Sequence, residues 1–398
     1  MQNTEYWILF QAVFGYGTAR TPKALEHFGH PSAIFDKPFA KLAATGFFTK
    51  AELSRLAEAS VLQAQTVLEK CRKIGCRVLT PDDDEYPDRL RQTYACPSVL
   101  YVLGELNGLD EQLAIAVVGT RNNTLYGKRA AEELSQELAG RGVVIVSGLA
   151  SGIDTISHTA AIKAGGKTIA VLGNGIDTIY PAANKELHRS ILEHGGAVIT
   201  EFPPGCGVLP YHFPIRNRII SGLSQGTLVI EGTRHSGSLI TAGHALAQGR
   251  DVFAVPGSIY SDASAGANWL ISQGAVPVSS WRDIVEEYES FIEFEEMPNL
   301  LVTNDQGFDN IETNVYNRQK EDVSPVQQEL TGVRKEKDKP DFLTETQQQV
   351  LNVLGEEPMT ADSIHAKSGL SVSTVLSSLT QMEIFGVIKA YPGRRFGL

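Results

Sequence analysis

Between residues 115 and 273 the chain alternates between two hydrophobic rhythms. Short, almost purely apolar runs recur: IAVVG, VVIVSG, TIAVLG, AVIT, TLVIEG and VFAVPG. Longer stretches separate them, among them YGKRAAEELSQELAGR and SLITAGHALAQGR, whose apolar residues return every three or four positions. The short runs predict strands buried on both faces, and the longer stretches predict helices that cover them. Strict alternation of the two gives an α/β fold with a parallel sheet and right-handed crossovers.

The flanks have other rhythms. Residues 1–80 carry helical spacing in EYWILFQAV, PKALEHF and AELSRLAEASVLQAQTVLEKCRKIG, so a helical N-terminal domain is predicted there. Within it, FGYGTARTPKALEHFG fits either a SAM or helix-hairpin-helix type turn or a plain bundle turn. RVLT and VLYVLG read as further strands around a Pro-rich connection. The adjacent acids Asp82, Asp83 and Asp84 lack ligand spacing and read as a solvated loop. The sheet domain is predicted over 81–282. Residues 283–341 are acidic, rich in Asn and Gln and poor in periodicity, which predicts a partly disordered linker. From 342 to 398 the pattern returns: three helical stretches (TETQQQVLNVLG, MTADSIHAKSG, SVSTVLSSLTQMEIFG) precede a small β-wing, VIKAYPGRRFGL. That order is a winged helix, with Ser371 as the N-cap of its third helix.

Charge changes the picture once it is located. The net charge of −11 argues against a nucleic-acid partner. Residues 283–341, however, hold about 16 acids and 6 bases, roughly −10, which leaves about −1 for everything else. Local basic clusters in the sheet domain are therefore not swamped. In the winged helix the bases are few: Lys367, Lys389, Arg394 and Arg395. The third helix, from Val372 to Phe385, has none, so protein contact or regulation fits it better than duplex reading. Four cysteines without a C-x-x-C pair exclude a zinc ribbon and a thioredoxin motif. No basic leader precedes the first apolar run, and no run is long enough to span a membrane, so a reducing cytoplasmic setting is expected.

Open parallel sheets bind ligands beyond the carboxyl ends of their strands. The turns there are Gly119-Thr120-Arg121, Ser147 to Gly152, Gly173-Asn174-Gly175, Glu201 to Gly205, Glu231 to Ser238 and Pro256-Gly257-Ser258. Five of the six are small, with glycine and hydroxyl or amide side chains, and the fourth is Pro-rich. Glycine lets backbone N–H groups approach an anion, and Ser and Thr donate to phosphate oxygens, so the edge reads as a phosphate-binding surface. Any single glycine also fits a plain tight turn. Basic residues lie close by: Arg121, Lys185, and Arg216 and Arg218 around Asn217, just after Tyr211 and Phe213. Aromatics interleaved with arginine suit a single strand whose bases stack and whose phosphates are held. Core packing for Tyr211 and Phe213, and structural ion pairs for the arginines, are the alternatives. Catalytic order is missing: no Ser-His-Asp set, H-E-x-x-H, P-loop or metal-spaced cluster occurs. Asp154 is expected to cap its helix, and Glu201 and Glu231 to pair with the arginines.

These segments together resemble the DprA/Smf family of DNA-processing proteins. The resemblance rests on AVVGTR, VVIVSGLASGIDTISHTAAI, TIAVLGNGIDTIYPAANKEL, GAVITEFPPG, HFPIRNRIISGLS, TLVIEGTRHSGSLITAGHALAQGRDVFAVPG and GANWLISQGA, about 160 contiguous residues. It implies an extended Rossmann-like core between a helical N-terminal module and a C-terminal winged helix. It implies a non-catalytic, cofactor-free homodimer that binds and protects single-stranded DNA during natural transformation and loads the recombinase RecA onto it. By the same match the phosphate site comprises Gly119, Thr120 and Arg121, with Ser147, Gly148, Lys185, Arg216, Asn217, Arg218, Ser236, Gly237 and Ser238 around it. The dimer surface is expected at the helix from Thr241 to Gln248 and near Asn268. Two other readings stand beside it. One is a nucleotide phosphoribohydrolase, although the turn at Glu231 lacks that group's paired glycines and trailing glutamate. The other is an adaptor acting only through the winged helix.

Overall fold

Apolar runs of four or five residues satisfy their backbone groups by pairing with one another, and here they build a nine-stranded sheet. The computed structural model describes residues 3–291 and 343–398, apart from 356–357, 385–386, 392–394 and 398. The strands are β1 (Arg77–Leu79), β2 (Leu100–Gly104), β3 (Ala114–Val118), β4 (Val144–Ser147), β5 (Thr168–Val171), β6 (Ala197–Thr200), β7 (Gly226–Val229), β8 (Asp251–Ala254) and β9 (Val276–Pro277). Their spatial order is β1-β2-β6-β5-β4-β3-β7-β8-β9. From β6 to β9 every pairing is parallel, while β1 and β2 add an antiparallel edge. The sheet thus takes in Arg77–Leu79, which precedes residue 81.

Alternate residues of one strand feed different cores. In β3, Ala114, Ala116 and Val118 face one core, and Ile115 and Val117 the other. In the N-terminal region α1 (Asn3–Phe14), α2 (Arg20–Phe28), α3 (Lys50–Glu58) and α4 (Val61–Ile74) gather around Trp7, Phe10 and Phe14. Their core is continuous with Tyr101, Ala170 and Val198 of the sheet, so these helices cover its β2-β6-β5 side. Further helices follow the strands: α5 (Leu125–Ala139), α6 (Ile153–Lys163), α7 (Lys185–Glu193), α8 (His212–Gly222), α9 (Gly237–Ala247) and α10 (Ala265–Ser272).

The expected acidic linker begins with structure. Arg282–Val285 is helical, and Ile284, Val285 and Tyr288 are buried in the core that holds Phe253. Most of that linker, residues 292–341, lies outside the described residues. Beyond it α11 (Glu345–Val353), α12 (Ala361–Ser368) and α13 (Val372–Ile384) pack around Leu343, Val350, Ile364, Val375 and Met382. A three-stranded antiparallel wing completes this unit: β10 (Met359–Thr360), β11 (Lys389–Tyr391) and β12 (Arg395–Gly397), ordered β10-β12-β11. Ser371 caps α13, its hydroxyl accepting from the Thr374 N–H at 3.2 Å. Arg394 is outside the described residues.

Candidate nucleic-acid interface

Strand order reverses at β3, which lies between β4 and β7, and reversal points of parallel sheets are where ligands bind. The turn after β3 is fixed by backbone contacts. The Thr120 N–H donates to the Glu231 carbonyl at 2.8 Å, and the Thr120 carbonyl accepts from the Ile153 N–H at 3.2 Å. A Cβ on Gly119 would lie 2.5 Å from Ile153. Gly152 has φ +81, and a Cβ there would meet the Thr120 carbonyl oxygen at 2.4 Å. These glycines let the turns after β3 and β4 touch backbone to backbone. Arg121 is left projecting and exposed.

The turn after β4 is built from buried polar groups. The Ser147 hydroxyl donates to the Val117 carbonyl at 2.7 Å and ties β4 to β3. Leu149 is buried with φ 54, a left-handed conformation that a branched side chain seldom adopts. Asn184 holds it by donating to the Leu149 carbonyl at 2.8 Å, and His158 by accepting from its N–H at 3.3 Å. Burial, with the Arg216 charge nearby, lowers the His158 pKa to about 3, so the ring is neutral. Its Nδ1 meets the Thr168 hydroxyl at 2.7 Å, and that hydroxyl donates to the Ile145 carbonyl. The proton therefore sits on Nδ1 and Nε2 accepts. Asp154 accepts from the N–H groups of Gly148 at 3.1 Å and Ala150 at 3.3 Å. It caps the turn before α6 rather than the amides of the helix itself. Burial pushes its carboxyl pKa up, and Arg216 and the two amides oppose that rise.

Over these turns lies a cleft lined by Arg121, Gly148, Ala150, Ser151, Tyr180, Pro181 and Phe213. The Arg121 guanidinium carbon stands 5.3 Å from the centre of the Phe213 ring, and that of Arg216 stands 5.9 Å from it. Tyr180 leans on Phe213 with 5.9 Å between ring centres. An exposed guanidinium beside two aromatic rings can take a phosphate and a base at once. No carboxylate lines the cleft.

Of the expected residues Arg121 and Gly148 line the cleft, and the others lie outside its lining. Arg216 is buried, and a Cβ on Gly148 would sit 2.1 Å from its Nη1. That Nη1 donates to the Val171 carbonyl. Burial lowers the Arg216 pKa to about 10, with Asp154 pulling up and Arg121 pulling down. Arg218 is buried in an ion pair with Glu201 at 2.7 Å. Asn217 donates to the Gly237 carbonyl at 3.1 Å and joins α8 to the start of α9. The Ser236 and Ser238 hydroxyls bond each other at 2.6 Å, and open space surrounds Gly237. Lys185 is exposed at the start of α7, four residues past Pro181. Of the two expected acid–arginine pairs only that of Glu201 forms. Glu231 instead accepts from the N–H and hydroxyl of Thr124, at 3.0 and 2.6 Å, and holds the N-cap of α5. Of the two aromatics in question, Phe213 is half-buried in the cleft and Tyr211 is exposed.

Tyr180 and Pro181 had not been singled out. Their signal was an aromatic directly before proline in the loop after β5. Among the described residues no group of three or more His, Cys, Asp or Glu is placed to hold a metal ion. No helix among them is long and apolar enough to cross a membrane.

Comparison with known proteins agrees with this architecture. A family profile described as DNA recombination-mediator protein A matches residues 77–289, and one for the DprA winged helix domain matches 334–394. Protein Smf of Escherichia coli (strain K12) is 40% identical over 317 residues, 79% of this chain and 76% of that protein. DNA processing protein DprA of Bacillus subtilis (strain 168) is 42% identical over 257 residues, 65% of this chain and 86% of that protein. The X-ray structure of DNA processing protein A from Streptococcus pneumoniae superposes with a TM-score of 0.62 at 36% identity, over 74% of this chain and 100% of that one. The chain belongs to the DNA recombination-mediator protein A family, that of DprA and Smf.

Proposed function

We propose that the chain binds single-stranded DNA at the Arg121 cleft without cutting it, and that as a homodimer it delivers the strand to a RecA recombinase. The observation that carries this reading is the exposed Arg121 guanidinium over the Phe213–Tyr180 pair, in a cleft with no lining acid. Arg121 and Lys185 hold phosphates in this reading, and Phe213, Tyr180 and exposed Tyr211 offer faces to bases. Ser236, Gly237 and Ser238 edge the same surface. Arg216, Asn217 and Arg218 position the site from beneath, with Arg216 adding its charge under the floor. Family membership supports RecA delivery and the dimer contact over Thr241 to Gln248.

Phosphate contacts make affinity fall with salt, with little preference for sequence. Charge-assisted bonds contribute about 1.5–3 kcal/mol each, so Arg121→Ala is expected to weaken oligothymidine binding roughly ten- to a hundredfold. A gel-shift titration at several salt concentrations checks both points. A flat salt dependence or unchanged affinity overturns the assignment of Arg121.

A nucleotide-hydrolysing reading needs a carboxylate facing the cleft. Asp154, Glu201 and Glu231 are all buried and engaged by framework partners. Release of free base from nucleoside monophosphates would restore that reading.

A further inference from the structure

The loop after β8 presents two large apolar side chains to solvent. Ile259 is 83% exposed and Tyr260 93%. Beside the base of this loop, at the start of α5, Leu125 and Tyr126 are exposed as well. The loop is braced. Tyr126 donates its hydroxyl to the Pro256 carbonyl at 2.6 Å. Asn268 accepts from the Gly257 N–H at 3.1 Å and donates to its carbonyl at 3.0 Å. The Tyr260 N–H donates to the Ser258 hydroxyl at 3.2 Å. The apolar tip is therefore held outward on a supported base.

Two exposed bases follow Tyr126 on α5. Lys128 and Arg129, in the first two turns of α5, are exposed and make no ion pair among the described residues. Glu132, one turn on, is engaged by Lys163 at 3.3 Å, and Glu133 next to it is exposed. The loop's one acid, Asp262, begins the turn that follows it. The patch also shares an edge with the Arg121 cleft. β8 is two strands from β3 in the same parallel sheet, roughly 10 Å across, and both loops leave carboxyl ends.

We propose that this patch is a second base-stacking platform, on which a single strand held at Arg121 continues past β7. Tyr260 and Tyr126 offer faces to bases, Ile259 supports them, and Lys128 and Arg129 meet the phosphates. The proposal rests on the reading of the Arg121 cleft as a single-strand site. Charge favours a polyanion over a second copy of the chain, because a copy would bury two unpaired cations. Four side chains also fall far short of the roughly 800 Å² per partner of a stable protein interface.

The test uses the full chain and fluorescence anisotropy with oligothymidines of about 4 and about 16 nucleotides, the span of known single-strand sites. The double variant Ile259→Ala/Tyr260→Ala is expected to bind the short oligomer as the wild type does. It should lose roughly five- to a hundredfold on the long one, the effect of removing a stacked base. Arg121→Ala should weaken both. A photoreactive 5-iodouracil walked along the long oligomer should crosslink to Tyr260 or Tyr126. Wild-type binding by the double variant at both lengths overturns the platform. So does a variant that loses self-association in sedimentation while each protomer keeps its affinity, since the patch would then serve a second copy. A wild type that binds neither oligomer overturns the Arg121 reading itself, and the platform with it.

Discussion

Two arginines 95 positions apart in the chain do different work. Arg121 is exposed over Phe213, and Arg216 lies buried beneath it with its charge facing Asp154. In the sequence both were candidate phosphate ligands, because a basic residue beside an aromatic looks the same whether it ends on the surface or under it. Burial separates them. Removing the Arg216 charge leaves the buried Asp154 carboxylate without its cationic neighbour, which costs on the order of 3 kcal/mol. Arg216→Met should therefore lower the melting temperature sharply, whereas Arg121→Ala should leave it unchanged. Thermal unfolding of the two variants side by side makes the distinction. His158 adds a pH dependence. Its pKa is about 3 in the folded chain against 6.5 ordinarily. Above pH 6.5 neither state carries the proton, so the effect is nil. As pH falls below 6.5 the unfolded chain takes up a proton that the folded chain refuses, and stability declines until about pH 3. At pH 5 the loss from this group is about 2 kcal/mol relative to pH 7. Denaturant melts at both pH values should show a smaller decline for His158→Gln than for the wild type, and equal declines would refute the neutral buried ring.

At the scale of elements, the parallel strands and their helices were legible because buried strands are apolar throughout and the helices between them are long enough to show a period. The elements that escaped are the shortest ones. β9 and β10 have two residues each, too few for any rhythm. The stretch after β9 was obscured in another way. Ile284, Val285 and Tyr288 sit among Asp283, Glu286, Glu287 and Glu289, so the acids marked the segment as linker. Three apolar side chains nonetheless suffice to cover the sheet, and the Tyr288 hydroxyl donates to Asp251 at 2.5 Å. Ile284 is fully buried, so Ile284→Ala should destabilise the chain by about 2–5 kcal/mol, read from denaturant midpoints. A truly unstructured linker residue would change them by almost nothing. The turns at the carboxyl edge show the same limit. Their glycines were visible, but which amides they left open was not. Glu231 resolves that for one turn, because it holds Thr124 instead of an arginine.

For the whole molecule the decisive contrast lies between the sheet and the winged helix. The sheet domain holds the exposed Arg121, the aromatic cleft and the exposed Lys128 and Arg129 on one edge. The winged helix has a core of its own, and α13, the position from which such folds read DNA, carries no basic residue. It does carry Glu383, whose carboxyl pKa burial raises and the charges of Arg234 and His235 pull back down. Those two residues belong to the turn after β7, between the Arg121 cleft and the loop of Tyr260. A carboxylate near that turn would compete with phosphate for the same cations, so on the proposed reading the winged helix should oppose the strand there rather than hold it. Deleting residues 343–398 should therefore leave affinity for short oligothymidine intact, and should raise affinity for long oligomers that cross Arg234. Glu383→Gln in the full chain should move affinity the same way by a smaller amount, because it removes the charge and keeps the fold. Anisotropy titrations at low and at moderate salt provide the measurement, and added salt should narrow the difference between variant and wild type as screening weakens Glu383. Loss of binding on deletion would mean that the winged helix, not the sheet edge, holds the strand.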